Sequence, residues 1–141
     1  MLLLLKRALF AWLIADGDMH LKNLALLKIA EPNSSQFDSV NIAPLYDAAT
    51  TRVFPNLEGD RMALKLNGKD ERLRRSDFRS FAATAGIRAI HAKAVIDDLV
   101  TRLRAGLEGF RLPGILPAGS TTVQTAERMR SLVTERLNGF A

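Results

Sequence analysis

The sequence predicts a mainly α-helical domain with one small β-hairpin near its front. Three observations carry that class. Residues 2–15 are apolar on nearly every side. Two short apolar stretches, 24–29 and 40–43, flank a cluster of turn formers. Further on, Val95, Ile96, Leu99, Leu103, Leu107 and Phe110 recur at helical spacing. At 141 residues the chain is about one domain long, enough to bury a substantial core.

The first helix, 2–15, has Trp12 at its centre, and only Lys6 and Arg7 interrupt its apolar run. A helix apolar all round is expected to be buried all round. Its partners should include Leu99, Leu103 and Val133, with an exposed apolar patch around Leu2 to Leu5 where the helix begins. The run falls short of the roughly 20 residues of a membrane span and lacks the basic start of a signal peptide. With no cysteine, the chain reads as cytoplasmic, without disulfides or thiolate metal sites. Met1 stands directly against the helix with no capping segment, so the chain reads as beginning inside a larger unit.

Gly17 is the expected helix stop, and a polar loop follows. Stretches 24–29 and 40–43 form the hairpin, with the cluster "EPNSSQFDS" (31–39) at its tip. Residues 44–60 have no sustained period and read as a long functional loop. "RMALKLNGK" reads as a short strand or a helix start that ends in an Asn-Gly turn. Ser76 is the expected N-cap of a helix closing at Gly86. A longer helix spans 90–110. After the prolines of "RLPGILPAG", a last helix spans about 120–138, with Ala126, Met129, Val133 and Leu137 on one face.

The net charge is +5, which favours acidic partners only weakly. Between Lys69 and Arg79, five basic residues face three acidic ones. That balance reads as a solvated face, and no direct nucleic-acid contact is expected.

The chemistry concentrates in "IADGDMHLKN", 14–23. Asp18 and Asn23 stand as Asp-x4-Asn. Phosphoryl transfer needs a carboxylate to orient and deprotonate the attacking hydroxyl and an oxygen ligand for Mg²⁺ beside it. One turn supplies both, at the spacing of a protein-kinase catalytic loop. A second carboxylate must hold the metal from the other side, and Asp47 in "APLYD" is the candidate. Each residue also has a plainer reading. Asp16 and Asp18 can close a helix, His20 can pack, Lys22 can be solvated, Asn23 can cap the turn, Tyr46 can pack, and Asp47 can make an Asx-turn.

"FAWLIADGDMHLKNLALL" followed by "IAPLYDAATT" resembles the C-terminal lobe of HipA-type serine/threonine kinases, the toxins of bacterial toxin–antitoxin pairs. "MALKLNGK" and "LRRSDFRSFAATAGI" are similar to that family as well, so the resemblance covers nearly the whole chain. It implies an atypical, phosphatidylinositol-kinase-like fold. It also implies Asp18 as catalytic base, Asn23 and Asp47 as Mg²⁺ ligands on the ATP side, and His20 and Lys22 as loop partners. Implied partners are a protein substrate such as an aminoacyl-tRNA synthetase, and an antitoxin through which operator DNA is met.

The chain departs from a full kinase in one respect. It has no Gly-x-Gly-x-x-Gly phosphate cradle, and no strand lysine precedes the first helix. The N-terminal ATP-lid lobe is therefore expected to be absent or to be a separate chain, and ATP binding by this chain alone is expected to be weak. Two further readings stand beside the kinase lobe. One is a binding-only kinase remnant. The other is a metal-dependent phosphohydrolase using Asp18, His20 and Asp47.

Overall fold

The computed structural model describes residues 1–140. Three helices pack around a fourth, α1 (Leu2–Leu13), and a two-stranded antiparallel hairpin projects beside it. The hairpin strands are β1 (Leu26–Ile29) and β2 (Ser39–Ile42), in the register Leu26↔Ile42 to Ile29↔Ser39. The other helices are α2 (Arg75–Thr84), α3 (Ala89–Gly109) and α4 (Thr121–Gly139). Single 3₁₀ turns occupy Leu21–Asn23 and Thr51–Val53. Among the described residues, no helix is long and apolar enough to cross a membrane.

Helix α1 is the central strut, in contact with α2, α3 and α4. Leu5, Leu9 and Leu13 are fully buried, and Trp12 nearly so. They pack in one cluster with Phe78 of α2, Ile96 and Leu99 of α3, and Val133 and Leu137 of α4. Leu103 packs against that cluster from its edge. Each such side chain contributes on the order of 1.5–3 kcal/mol. Arg136 closes the joint between α4 and α1. Its guanidinium lies 4.0 Å from the centre of the Trp12 ring and donates to the Trp12 carbonyl. Burial pushes the Arg136 pKa down to about 10.

Burial of α1 is not complete. Leu2 and Leu3 are 41% and 45% exposed, whereas Leu5 is wholly covered. The expected apolar patch is therefore confined to Met1, Leu2 and Leu3.

Several boundaries differ from the sequence reading. Helix α1 ends at Leu13, and the stop is Ala15, not Gly17. Ala15 takes the left-handed conformation at φ 58°. Ala15 N–H bonds to the Trp12 carbonyl and Asp16 N–H to that of Ala11 (2.9 Å), the paired bonds of a Schellman ending. The cap of α2 is not Ser76, which lies within its first turn. The Asp77 carboxylate instead reaches back to Arg74 N–H (2.8 Å) and takes Lys69 Nζ (2.7 Å). That hydrogen bond with Lys69 leads in holding the Asp77 carboxyl below the usual range.

Residues 61–69 are neither strand nor helix. They make one isolated bridge, Leu66 with Lys69, around the expected Asn67–Gly68 turn, where both central residues have positive φ. Gly86 closes α2 as expected, at φ 69°, with Ile87 N–H on the Ala82 carbonyl. Ser120 caps α4 by accepting from Val123 N–H.

Candidate functional site

The site begins where α1 stops. The left-handed Ala15 ends the helix, and the polar stretch Asp16 to Asn23 follows it. The Asp16 side chain is buried and accepts from Asp18 N–H at 3.1 Å. Burial is the leading cause that raises its pKa, with smaller contributions from the nearby Asp18 and Asp47 charges.

A polar latch pins the next residue. Gly17 N–H donates to Thr51 Oγ1 (2.9 Å), whose hydroxyl donates to Asp60 Oδ2 (2.9 Å). Ala63 N–H bonds to the Gly17 carbonyl at 3.1 Å. A Cβ at position 17 would sit 2.0 Å from Asp60 Oδ2. Glycine is thus required there for close approach and not for its backbone freedom.

Beyond the latch the loop presents its chemistry. Asp18 is exposed, with 68% of its side chain accessible, and its Oδ1 lies 3.8 Å from His20 Nε2. That separation is too long for a hydrogen bond. Asn23 is buried. Its Oδ1 accepts from His20 N–H (3.3 Å), and its Nδ2 donates to Asp47 Oδ2 (2.8 Å). Asn23 and Asp47, 24 residues apart in sequence, therefore share one site. The side chain of Lys22 points to solvent without an ion pair among the described residues, while its carbonyl accepts from the Tyr46 hydroxyl at 2.6 Å. Tyr46 is thus a tie between the two halves of the site and not packing alone. Asp47 itself sits at φ 53°, a strained conformation for an aspartate that the surrounding bonds must hold.

Carboxylate and amide oxygens form a hard-donor set, although here the Asn23 amide turns its Nδ2 to Asp47 and its Oδ1 to His20 N–H. Such a set suits Mg²⁺, which binds through one or two carboxylates and keeps several waters. Among the described residues, no three His, Cys, Asp or Glu side chains gather as a metal-binding group. The phosphohydrolase reading needs Asp18, His20 and Asp47 to gather in that way, so this geometry counts against it.

Thr51, Asp60 and Arg7 also belong to the neighbourhood and were missed in the sequence. Thr51 and Asp60 lie in a stretch with no period and carry no motif. Arg7 did carry a signal: a cation on the buried side of an otherwise apolar helix.

The family model of the HipA-like C-terminal domain matches residues 1–107. The match takes in α1, the loop, the hairpin, α2 and most of α3. A comparison with curated proteins returns no match.

Proposed function

The chain belongs to the HipA-like C-terminal domain family, and from that premise we propose that it is the catalytic lobe of a serine/threonine protein kinase of the toxin–antitoxin type. The observation that carries the proposal is the Asn23–Asp47 contact at 2.8 Å on the same loop as the exposed Asp18.

In this reading Asp18 accepts the proton of a serine or threonine hydroxyl as that oxygen attacks the γ-phosphorus of ATP and ADP leaves. Its exposure suits a group that must meet a protein substrate. His20 stands close enough to Asp18 to orient an incoming hydroxyl without neutralising the base. Asn23 and Asp47 would hold Mg²⁺, which supplies charge stabilisation on the phosphates when bound. Lys22, free at the surface, would meet phosphate charge. The ATP-lid lobe, an antitoxin and a protein substrate such as an aminoacyl-tRNA synthetase are the partners this reading calls for.

The test is transfer of labelled γ-phosphate from Mg-ATP to a protein serine or threonine, with the lid lobe supplied in the same chain or as a second one. Asp18→Asn keeps the shape and removes the base, so it should lower the rate by about 10²–10⁴-fold. Binding of the antitoxin or substrate with no transfer would leave the remnant reading in its place.

A further inference from the structure

Behind the Asn23–Asp47 pair lies a buried cation with donors to spare. Arg7 is only 5% exposed. Its Nη2 donates to the Ala43 carbonyl, on the segment that leads through Pro44 to Asp47. Its Nε and Nη1 are buried and have no hydrogen-bond partner, and Arg7 makes no ion pair among the described residues. A guanidinium left in this state is costly to bury. A methionine would fill the same space on an apolar helix without that cost.

The free donors have somewhere to act. Arg7, Asp16, Asn23 and Asp47 all line one small chamber of about 10 Å³. That is room for one water, and the walls offer the donors and acceptors a buried water needs. Two carboxylates, those of Asp16 and Asp47, are among the chamber's walls.

We propose that Arg7 is a positioning residue for the Asn23–Asp47 pair, acting through the Ala43 carbonyl and through one water held between its free N–H groups and the site's carboxylates. It sets the height of the Asp47 segment over the loop, and it places a fixed positive charge beside Asp16 and Asp47. A lysine has one ammonium for two tasks. It can hold the carbonyl or the water but lacks the fork that reaches both. This inference rests on the metal role of Asn23 and Asp47, and its test separates the two.

Two readouts on the full chain decide the matter. In metal-free protein, NMR follows the Asn23 side-chain amide, which donates to Asp47. By electron paramagnetic resonance, Mn²⁺ titration reports the metal site. Arg7→Met should leave the global unfolding midpoint at or above that of the parent. It should move the Asn23 amide resonances, speed their exchange with water at least about tenfold, and weaken Mn²⁺ binding by roughly 10–100-fold, as loss of a supporting partner does. Arg7→Lys should fall between the two. A folded Arg7→Met protein with the parent's Asn23 resonances and Mn²⁺ affinity overturns the proposal. If Arg7→Met fails to fold, Arg7→Lys decides, and an unchanged Asn23 amide in that variant also overturns it. If the parent holds no Mn²⁺ while the Asn23 amide responds to Arg7→Met, the metal reading falls and the positioning role stands.

Discussion

In α1, Leu5, Leu9 and Leu13 lose all contact with solvent, while along β1, from Leu26 to Ile29, every residue is exposed. The two regions are joined within a dozen residues and are held by different means. The helices are held by a single apolar cluster running from Leu5 to Phe140. The loop and hairpin are held by separate polar ties: Arg7 to Ala43, Thr51 to Gly17 and Asp60, Tyr46 to Lys22, and Asn23 to Asp47. Apolar packing is shared, so losing one member weakens every helix. A polar tie acts where it stands, so losing one should free a short segment and leave the rest. The candidate site lies on the side built from ties. A loop held in this way can move there without cost to the core.

The strongest test of the shared core is Phe78→Ala. Phe78 is fully buried and meets Phe140 edge-on, ring centres 5.5 Å apart. Truncation should cost about 3–5 kcal/mol, a large part of the roughly 5–15 kcal/mol of a typical domain. Denaturant unfolding should show it as one transition at a lower midpoint. Two separated transitions would mean that the helices are not one cooperative unit.

Thr51→Val tests the other side. The substitution keeps the shape and removes the hydroxyl, leaving Gly17 N–H without an acceptor and Asp60 Oδ2 without a donor. The expected cost is about 1–3 kcal/mol, placed locally. Hydrogen exchange should accelerate at residues 16–20 and stay unchanged in α2 and α3. Uniform acceleration across the helices would erase the distinction between packed and tied regions.

The same division decided what could be read from the sequence. Helices α3 and α4 declared themselves through the spacing of Ile96, Leu99, Val133 and Leu137, because burial on one helical face imposes a period. Gly86 and the Asn67–Gly68 turn were legible because positive φ favours those residue types. Asp18, Asn23 and Asp47 were legible as a motif, and the structure brings Asn23 and Asp47 together. The caps were not legible. The Asp77 carboxylate, and not Ser76, takes the Arg74 N–H, and Ala15 occupies a position where glycine is the usual signal. Thr51 and Asp60 were invisible, since a tie between residues far apart in sequence leaves no local pattern.

Acid titration contrasts two carboxylates, one on each side. Asp77, at the start of α2, has its pKa lowered chiefly by the Lys69 hydrogen bond. The folded value lies below the unfolded one of about 3.9, so its stabilisation is present above that pH and is lost as pH falls through the folded value. Asp16, in the loop, is shifted the other way by burial. Its ionisation opposes folding at neutral pH, and that opposition fades as pH falls through its folded value. Asp77→Ala should therefore cost about 1 kcal/mol at pH 7 and progressively less below about pH 3.9. Urea midpoints at pH 7 and pH 3 measure the gap. A gap as wide in acid as at neutrality would show that Asp77 acts through packing and not through its charge.

The smallest expected effect sits where the two regions join. Ala15 ends α1 at φ 58°, and a left-handed alanine costs roughly 1–2 kcal/mol because its Cβ crowds the following carbonyl. The ending is nevertheless formed, with both Schellman bonds in place, because the Thr51 latch and the buried Asp16 fix the residues that follow. Ala15→Gly removes the crowding but gives the unfolded chain more freedom, which takes back about 0.4–1 kcal/mol. Ala15 is almost wholly buried, so the lost methyl also removes a little packing. The net change should be a gain of under about 1 kcal/mol, read as a small rise in urea midpoint, with Mn²⁺ binding unaltered. If the strain is instead part of how the helix end aims the loop, Ala15→Gly will weaken Mn²⁺ binding while the midpoint rises. That result would move Ala15 from the packed region to the tied one.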